Sequence, residues 1–89
     1  MKASKSLCFG DLSFKYTKNP NPKIGLIVSK RYGNAIERNL FKRRCRSAFK
    51  LIMVENNMGY ALIVRPKKSD VSFTTIQKSF NFIYDKLSH

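Results

Sequence analysis

Hydrophobic and polar residues alternate along the segment DLSFKYTK (residues 11–18). A period of two residues is typical of a β-strand with one buried face, and it leaves Lys15 on the opposite, exposed face. The loop NPNP (19–22) is a turn signal, and the apolar segment KIGLIVS (23–29) follows it as a second strand. The short loop predicts that these two strands pair directly as an antiparallel ladder.

The periodicity then changes to that of a helix, which we predict from Ala35 to Met53 with Asn34 as its N-cap. Apolar residues recur at every third or fourth position, so that one stripe of this helix packs on the sheet. This stripe comprises Phe41, Cys45, Ala48 and Ile52, with Phe49 beside it.

The run from Tyr60 to Val64 predicts a short buried strand, which ends at Pro66. A strand, a long helix and a further strand in succession predict a crossover with the two strands parallel. Ser72 is the predicted cap of a last helix from Phe73 to Leu87. An 89-residue chain buries one modest core, so we predict a single α+β domain, 1–89.

The charge of the chain changes this picture. Eighteen Lys and Arg residues stand against five acids, which gives a net charge of +13 and a pI near 10.2. Such an excess favours nucleic acid over an acidic protein as the partner. No apolar run is long enough to span a membrane, and the N-terminus lacks the apolar core of a signal peptide. The sequence therefore predicts a cytoplasmic protein without a membrane partner.

The positive charge is concentrated on the predicted central helix. Residues 29–50 contain eight Lys and Arg residues and one acid, Glu37. A solvated helix normally interleaves Glu with Lys, so this face is predicted to bind phosphates. Its polar stripe consists of Asn39, Arg43, Arg46 and Lys50, flanked by Lys42 and Arg38. Composition does not decide between DNA and RNA, since a basic helix also fits a DNA major groove.

The chain offers little for protein-borne catalysis. Its five acids are scattered, its one histidine is His89, and Cys8 and Cys45 have no metal-binding spacing. We therefore predict no catalytic residue, no metal ligand and no small-molecule substrate.

The segment VSKRYGNAIERNLFKRRCRSAF (28–49) resembles the signature of the bacterial ribonuclease P protein component, approximately SKK.GNA..RNR.KR..RE.F. The later segment GYALIVRPK and the closing helix also resemble that family. The matching positions are Ser29, Lys30, Gly33, Asn34, Ala35, Arg38, Asn39, Lys42, Arg43, Arg46 and Phe49.

The resemblance implies a two-layer α/β sandwich of the ribosomal S5 domain 2-like type, with a mixed sheet and an unusual left-handed βαβ crossover. It also implies a subunit of ribonuclease P, which binds the catalytic RNA and the 5′ leader of precursor tRNA. The RNA, assisted by Mg²⁺, would then hydrolyse the phosphodiester bond in tRNA 5′ maturation. On this basis the protein alone is expected to bind no cofactor.

The family's binding residues can be assigned to positions in this chain. The resemblance implies that Arg38, Asn39, Lys42, Arg43 and Arg46 contact the catalytic RNA, with Lys50 on the same stripe. Lys30, Arg31 and Asn34 would flank the start of the helix near RNA phosphates or bound metal. Lys15, with Lys67 and Lys68, would belong to the leader-binding cleft.

Three departures from the family pattern are expected to matter. The third position of the Arg-Asn-Arg core is Leu40, and Ser47 replaces a Glu. The N-terminal helix that walls the leader cleft in this family is expected to be missing, which would reduce leader affinity. Two alternatives stay open: a structural RNA-binding protein, such as a ribosomal protein or assembly factor, and a DNA-binding domain.

Overall fold

In a computed structural model, which describes residues 5–88, the chain forms a four-stranded sheet and two long helices. A 3₁₀ turn at Lys30–Tyr32 precedes the first helix, and a π-helical turn at Lys50–Val54 follows it. The elements are β1 (Lys5–Phe9), β2 (Leu12–Lys18), β3 (Lys23–Leu26), α1 (Ala35–Phe49), β4 (Tyr60–Pro66) and α2 (Phe73–Leu87). The predicted α+β class is confirmed.

The strands lie in the order β1-β2-β4-β3. β3 and β4 are parallel, with Ile24 opposite Leu62, as predicted for a strand–helix–strand crossover. The predicted direct pairing of β2 with β3 is wrong, because β4 lies between them and pairs antiparallel with β2. The left hand of the crossover stays a prediction.

The central place of β4 follows from its composition. Residues 61–64 are apolar at every position, a pattern that suits a strand with neighbours on both sides better than an edge strand. The loop after β2 is held to the start of β4, where the Asn19 backbone N–H donates to the Gly59 carbonyl at 2.9 Å. A prolyl nitrogen at Pro20 and Pro22 has no N–H to donate, which disfavours a tight hairpin from β2 to β3.

β1 was not predicted from the sequence. It pairs antiparallel with β2, with Phe9 opposite Leu12, so the hairpin loop consists of Gly10 and Asp11 alone. Gly10 has a φ of +56°, a left-handed conformation that glycine adopts without steric cost. A Gly-Asp pair between two short runs is a hairpin signal that could have revealed this strand.

Both helices cover one face of the sheet, and the core lies between the two layers. Phe14 of β2 meets Phe80 of α2 edge to face at 5.3 Å between ring centroids, and Phe9 stacks on Phe82 at 4.6 Å. The fully buried side chains include Leu12, Phe14, Phe41, Cys45, Met53, Leu62, Val64, Ile76, Phe80 and Ile83. Burial raises the pKa of the Cys45 thiol to about 12, as expected for a cysteine that serves as a small core residue.

Side chains cap the N-termini of both helices as predicted. Asn34 and Glu37 form a reciprocal capping box at the start of α1, and Ser72 accepts a bond from the Thr75 N–H at the start of α2. The helical path of α1 continues through the π-helical turn to Val54, one residue beyond the predicted end.

Candidate nucleic-acid interface

The polar stripe of α1 is exposed along the whole helix. Asn39, Arg43, Arg46 and Lys50 are exposed, and Arg38 and Lys42 are half-buried beside them. Because the apolar stripe of α1 faces the sheet, these five cations and Asn39 share one outward surface. We call these six residues the basic stripe.

No acid within the described residues neutralises the basic stripe. Glu37 accepts a hydrogen bond from the Asn34 backbone N–H at 3.0 Å, so its carboxylate is held at the N-terminal end of α1. None of the six residues forms a salt bridge within residues 5–88, where the recorded pair joins Lys68 to Asp11 at 3.6 Å. Like charges on one helix face repel, so this arrangement favours an anionic partner.

Arg38 differs from the other cations of the stripe. Its Nε is buried and has no hydrogen-bond partner among the described residues. A buried N–H donor without an acceptor is unfavourable by about 1 to 3 kcal/mol. A rotation of the Arg38 side chain towards an acceptor outside the chain would remove that cost.

The start of α1 depends on Gly33 and Asn34. The Asn34 side-chain oxygen accepts from the Glu37 backbone N–H at 2.9 Å, so this oxygen has a structural role in addition to any contact with RNA. A Cβ at Gly33 would overlap the Glu37 carboxylate, which explains glycine at this position.

A second basic surface lies at the carboxyl ends of the parallel strands β3 and β4. Arg31, Lys67 and Lys68 line a pocket of about 230 Å³ together with Ser29 and Ser69. The resemblance placed Arg31 near RNA phosphates or bound metal and the two lysines in the leader cleft, and the structure brings all three together. Crevices at the carboxyl ends of parallel strands are frequent ligand sites. Lys30 is exposed in the same 3₁₀ turn as Arg31.

Tyr32 holds this turn in place. Its hydroxyl accepts a hydrogen bond from the Val71 backbone N–H at 3.1 Å, and its ring lies 5.0 Å from that of Phe41. Burial raises the pKa of the Tyr32 hydroxyl, so this group stays protonated at neutral pH. The turn that carries Arg31 is thereby tied both to α1 and to the segment before α2.

A third surface is the face of the sheet that the helices leave uncovered. Lys15 lies there, as predicted, and lines a small cavity of about 90 Å³ with Arg65, Ile27, Ile63 and Ser13. Lys67 and Lys68 do not line this cavity. Sequence reasoning missed Arg65, although the alternation around the buried residues of β4 would have placed it on this face.

The potential metal ligands of the described residues lie apart from one another. Within residues 5–88, no three His, Cys, Asp or Glu residues lie close enough together to hold a metal ion. His89 lies outside the described residues. Among the described residues, no helix is both long and apolar enough to cross a membrane.

The fold and these surfaces define a small α+β protein with a surface chemistry suited to a polyanion. A sequence profile described as Ribonuclease P matches residues 2–88. This chain therefore belongs to the ribonuclease P protein family.

Individual relatives agree with this result. The ribonuclease P protein component of Finegoldia magna is 32% identical over 76 residues, which cover 83% of this chain and 67% of that protein. The protein of the same description from Helicobacter acinonychis is 44% identical over 61 residues, which cover 64% of this chain and 38% of that protein. This chain thus spans between about two fifths and two thirds of the length of these curated relatives.

Solved structures show the same fold. The RNase P protein from Thermotoga maritima has a TM-score of 0.79 at 24% identity, covering 94% of this chain and 84% of that chain. The RNase P protein of Staphylococcus aureus has a TM-score of 0.76 at 26% identity, covering 93% of this chain and 80% of that chain.

Proposed function

We propose that this chain is the protein subunit of a ribonuclease P. In this proposal it binds ribonuclease P RNA and the 5′ leader of precursor tRNA, and assists the Mg²⁺-dependent removal of the leader. The observation that carries the proposal is the basic stripe: five of its six residues match the family signature, and all six lie on one outward surface without a compensating acid.

The basic stripe is assigned to ribonuclease P RNA. Arginine suits phosphate groups because its planar fork donates two parallel hydrogen bonds. If the Arg38 side chain turns towards an RNA phosphate, its Nε gains the acceptor that it lacks in the free protein. The six positions span Arg38 to Lys50, about 18 Å of helix, which is long enough to follow several phosphates of one RNA strand.

The pocket formed by Arg31, Lys67 and Lys68 is assigned to a phosphate at the edge of the same interface. Arg31, Lys67 and the Ser29 hydroxyl line a space of about 230 Å³, beside Lys68, which pairs with Asp11. The Ser69 hydroxyl donates to the Arg31 carbonyl, and the positive charge of the lining suits an anion. This pocket shares the 3₁₀ turn with Lys30 and is connected to α1 through Tyr32.

The uncovered sheet face is assigned to the single-stranded leader. Lys15 and Arg65 supply positive charge, while Ile27 and Ile63 are 46% and 43% exposed and offer apolar surface to unstacked bases. Surfaces that combine charge with apolar contact bind single strands with little sequence preference.

We assign hydrolysis to the RNA subunit with its Mg²⁺, and to the protein the binding and positioning of both RNAs. Neutralising RNA charge at the interface lowers the repulsion between the catalytic RNA and its precursor substrate. The protein should therefore matter most at low Mg²⁺, where few other cations perform this role.

The experiment is cleavage of precursor tRNA by a bacterial-type ribonuclease P RNA at low Mg²⁺, with and without this protein. The proposal predicts faster release of the leader when the protein is present. Tight binding to ribosomal RNA, with no effect on cleavage, would instead support the structural RNA-binding alternative.

A further inference from the structure

A shallow, open depression of about 330 Å³, which we call the cavity, lies between α1 and the first residue of α2, next to the basic stripe. Its walls are the apolar side chains of Leu40 and Phe73, which are 38% and 36% exposed. Arg43, Arg44 and Ser47 complete the lining, and none of the five residues is acidic. The cavity therefore combines apolar walls with positive charge.

Exposed apolar side chains are concentrated at this edge of the protein. Seven large hydrophobic side chains are recorded as exposed in residues 5–88, and five of them belong to α1, the turn after it or the start of α2. Of these five, only Leu40 and Phe73 line the cavity, where they form one apolar patch contributed by two helices. A contiguous apolar patch marks an interaction surface more often than single exposed side chains do. The five are Ile36, Leu40, Leu51, Val54 and Phe73.

We propose that this cavity binds one unpaired nucleobase of ribonuclease P RNA, an inference that rests on the function proposed above. The base would stack on the ring of Phe73 and pack against Leu40. Arg43, which is exposed and belongs to the basic stripe, would contact the phosphate of the same nucleotide. Arg44, which also lines an adjoining cavity with Glu37 and Asp70, would contact the edge of the base.

The size and charge of the cavity favour a nucleotide over a protein partner. Its volume of about 330 Å³ and its open shape suit one planar base that lies flat on the surface, with one face covered and the other in solvent. A stable protein interface buries about 1,200 Å² or more, far beyond what this cavity offers. A second copy of this chain is disfavoured because two molecules with a net charge of +13 repel each other.

Leu40 is central to the inference. The family signature has arginine at this position, so leucine removes one cation from the interface and adds an apolar wall. In this chain the Leu40 side chain forms one wall of the cavity, where it can pack against a neutral, planar group. A charge contact with the RNA is thus replaced by contact with a base.

The test is the affinity of the full chain for ribonuclease P RNA, measured by filter binding over a range of salt concentrations. Phe73→Ala should weaken binding roughly 5- to 150-fold, which corresponds to the loss of about 1 to 3 kcal/mol per stacked base. Its salt dependence should not change, because no phosphate contact is removed. Leu40→Ala should weaken binding less, and Phe73→Tyr, which keeps the ring, should bind like the parent protein.

The matched controls are Ile36→Ala and Leu51→Ala, which remove exposed apolar side chains on α1 and in the following turn that do not line the cavity. Both should bind within twofold of the parent protein. Leu40→Arg should steepen the log-log salt slope by about one, because it adds a phosphate contact. It should also lose protection of the base.

Chemical probing of the RNA gives a second readout. At saturating protein, one unpaired base should be protected from dimethyl sulfate or carbodiimide by the parent chain and become reactive in the Phe73→Ala complex. If no base behaves this way, or if Phe73→Ala and Leu40→Ala bind the RNA as the parent chain does, the inference is wrong while the proposed function stands. If these variants instead change the sedimentation of the free protein, the cavity holds a second copy and the inference is also wrong. If the parent chain does not bind ribonuclease P RNA, both the proposed function and this inference fail.

Discussion

The two helices have the same length, but their outer faces differ in charge. α1 and α2 each contain 15 residues, begin with a side-chain cap and bury one apolar stripe against the sheet. α1 carries five cations and one acid, whereas α2 carries two cations and one acid. The buried stripes stabilise the fold in both cases, and only α1 has an outer face that is costly without a partner. The comparison separates residues that determine stability from residues that determine binding.

The largest effect is expected in the core of α2. Phe80 is fully buried and contacts the rings of Phe14 and Phe49 edge to face. Phe80→Ala should lower the free energy of unfolding by about 3 to 5 kcal/mol, since it removes a large buried ring and leaves a cavity. Urea denaturation measures this loss, with exposed Lys78→Ala as the control. A loss below about 1 kcal/mol would contradict the assignment of Phe80 to the core.

An alanine substitution on the outer face of α1 should weaken RNA binding and leave the stability of the fold intact. Arg46 is exposed on the basic stripe, so Arg46→Ala should weaken binding to ribonuclease P RNA about 5- to 10-fold and reduce the salt slope by about one. The free energy of unfolding should change by less than about 0.5 kcal/mol. Lys78→Ala on α2 is the matched control, and equal effects of the two substitutions on RNA affinity would show that position on α1 is irrelevant.

Removal of either helix cap should lower the free energy of unfolding by a similar amount. Asn34→Ala removes one half of the capping box and Ser72→Ala removes the acceptor for the Thr75 N–H. Each should cost about 0.5 to 2 kcal/mol of unfolding free energy, measured by thermal or urea denaturation. Asn34→Ala should also weaken RNA binding because it loosens the start of α1, whereas Ser72→Ala should not. RNA affinity reduced equally by both variants would argue against this difference.

Salt should act on stability and binding in opposite directions. Screening weakens the repulsion among the cations of α1, so the melting temperature of the free protein should rise by a few degrees between low and moderate salt. RNA affinity should fall over the same range, with a log-log slope of about −4 to −5 if some six phosphates are neutralised. An RNA affinity that does not change with salt concentration would contradict the proposed phosphate contacts.

The two thiols should differ in reactivity. Burial raises the pKa of Cys45 from 9.0 to about 12, whereas Cys8 is exposed. At pH 8 a thiol reagent should modify Cys8 and leave Cys45 unreacted until the protein unfolds. The neutral thiol is favoured in the fold, so this contribution to stability is complete below about pH 9 and is lost as pH rises towards 12. Rapid modification of both thiols in the folded protein would place Cys45 outside the core.

Much of the fold follows from local patterns in the sequence. The 3.6-residue period and the caps Asn34 and Ser72 predicted both helices, and alternation predicted β2 with Lys15 on its exposed face. The pairing of β2 with β3 was predicted wrongly because strand order depends on which strand best fills the centre of the sheet. That choice is a tertiary effect, and it favoured the uniformly apolar β4.

Individual residues of the candidate site could be predicted from the sequence, but the pockets that distant residues form together could not. The spacing of cations on α1 gave the basic stripe, because helix geometry is regular. The sequence could not show that Arg31 shares a pocket with Lys67 and Lys68, since these positions are brought together by the parallel crossover. The cavity between Leu40 and Phe73 depends in the same way on the packing of α2 beside α1.

The most direct test of the account is the Arg43→Ala, Arg46→Ala double variant in the precursor-tRNA cleavage assay at low Mg²⁺, with urea denaturation of the same preparation. The account predicts an unfolding free energy within about 0.5 kcal/mol of the parent protein and a loss of most of the stimulation of cleavage at limiting protein concentration. Full stimulation by a stably folded double variant would contradict the central claim that the outer face of α1 binds the catalytic RNA.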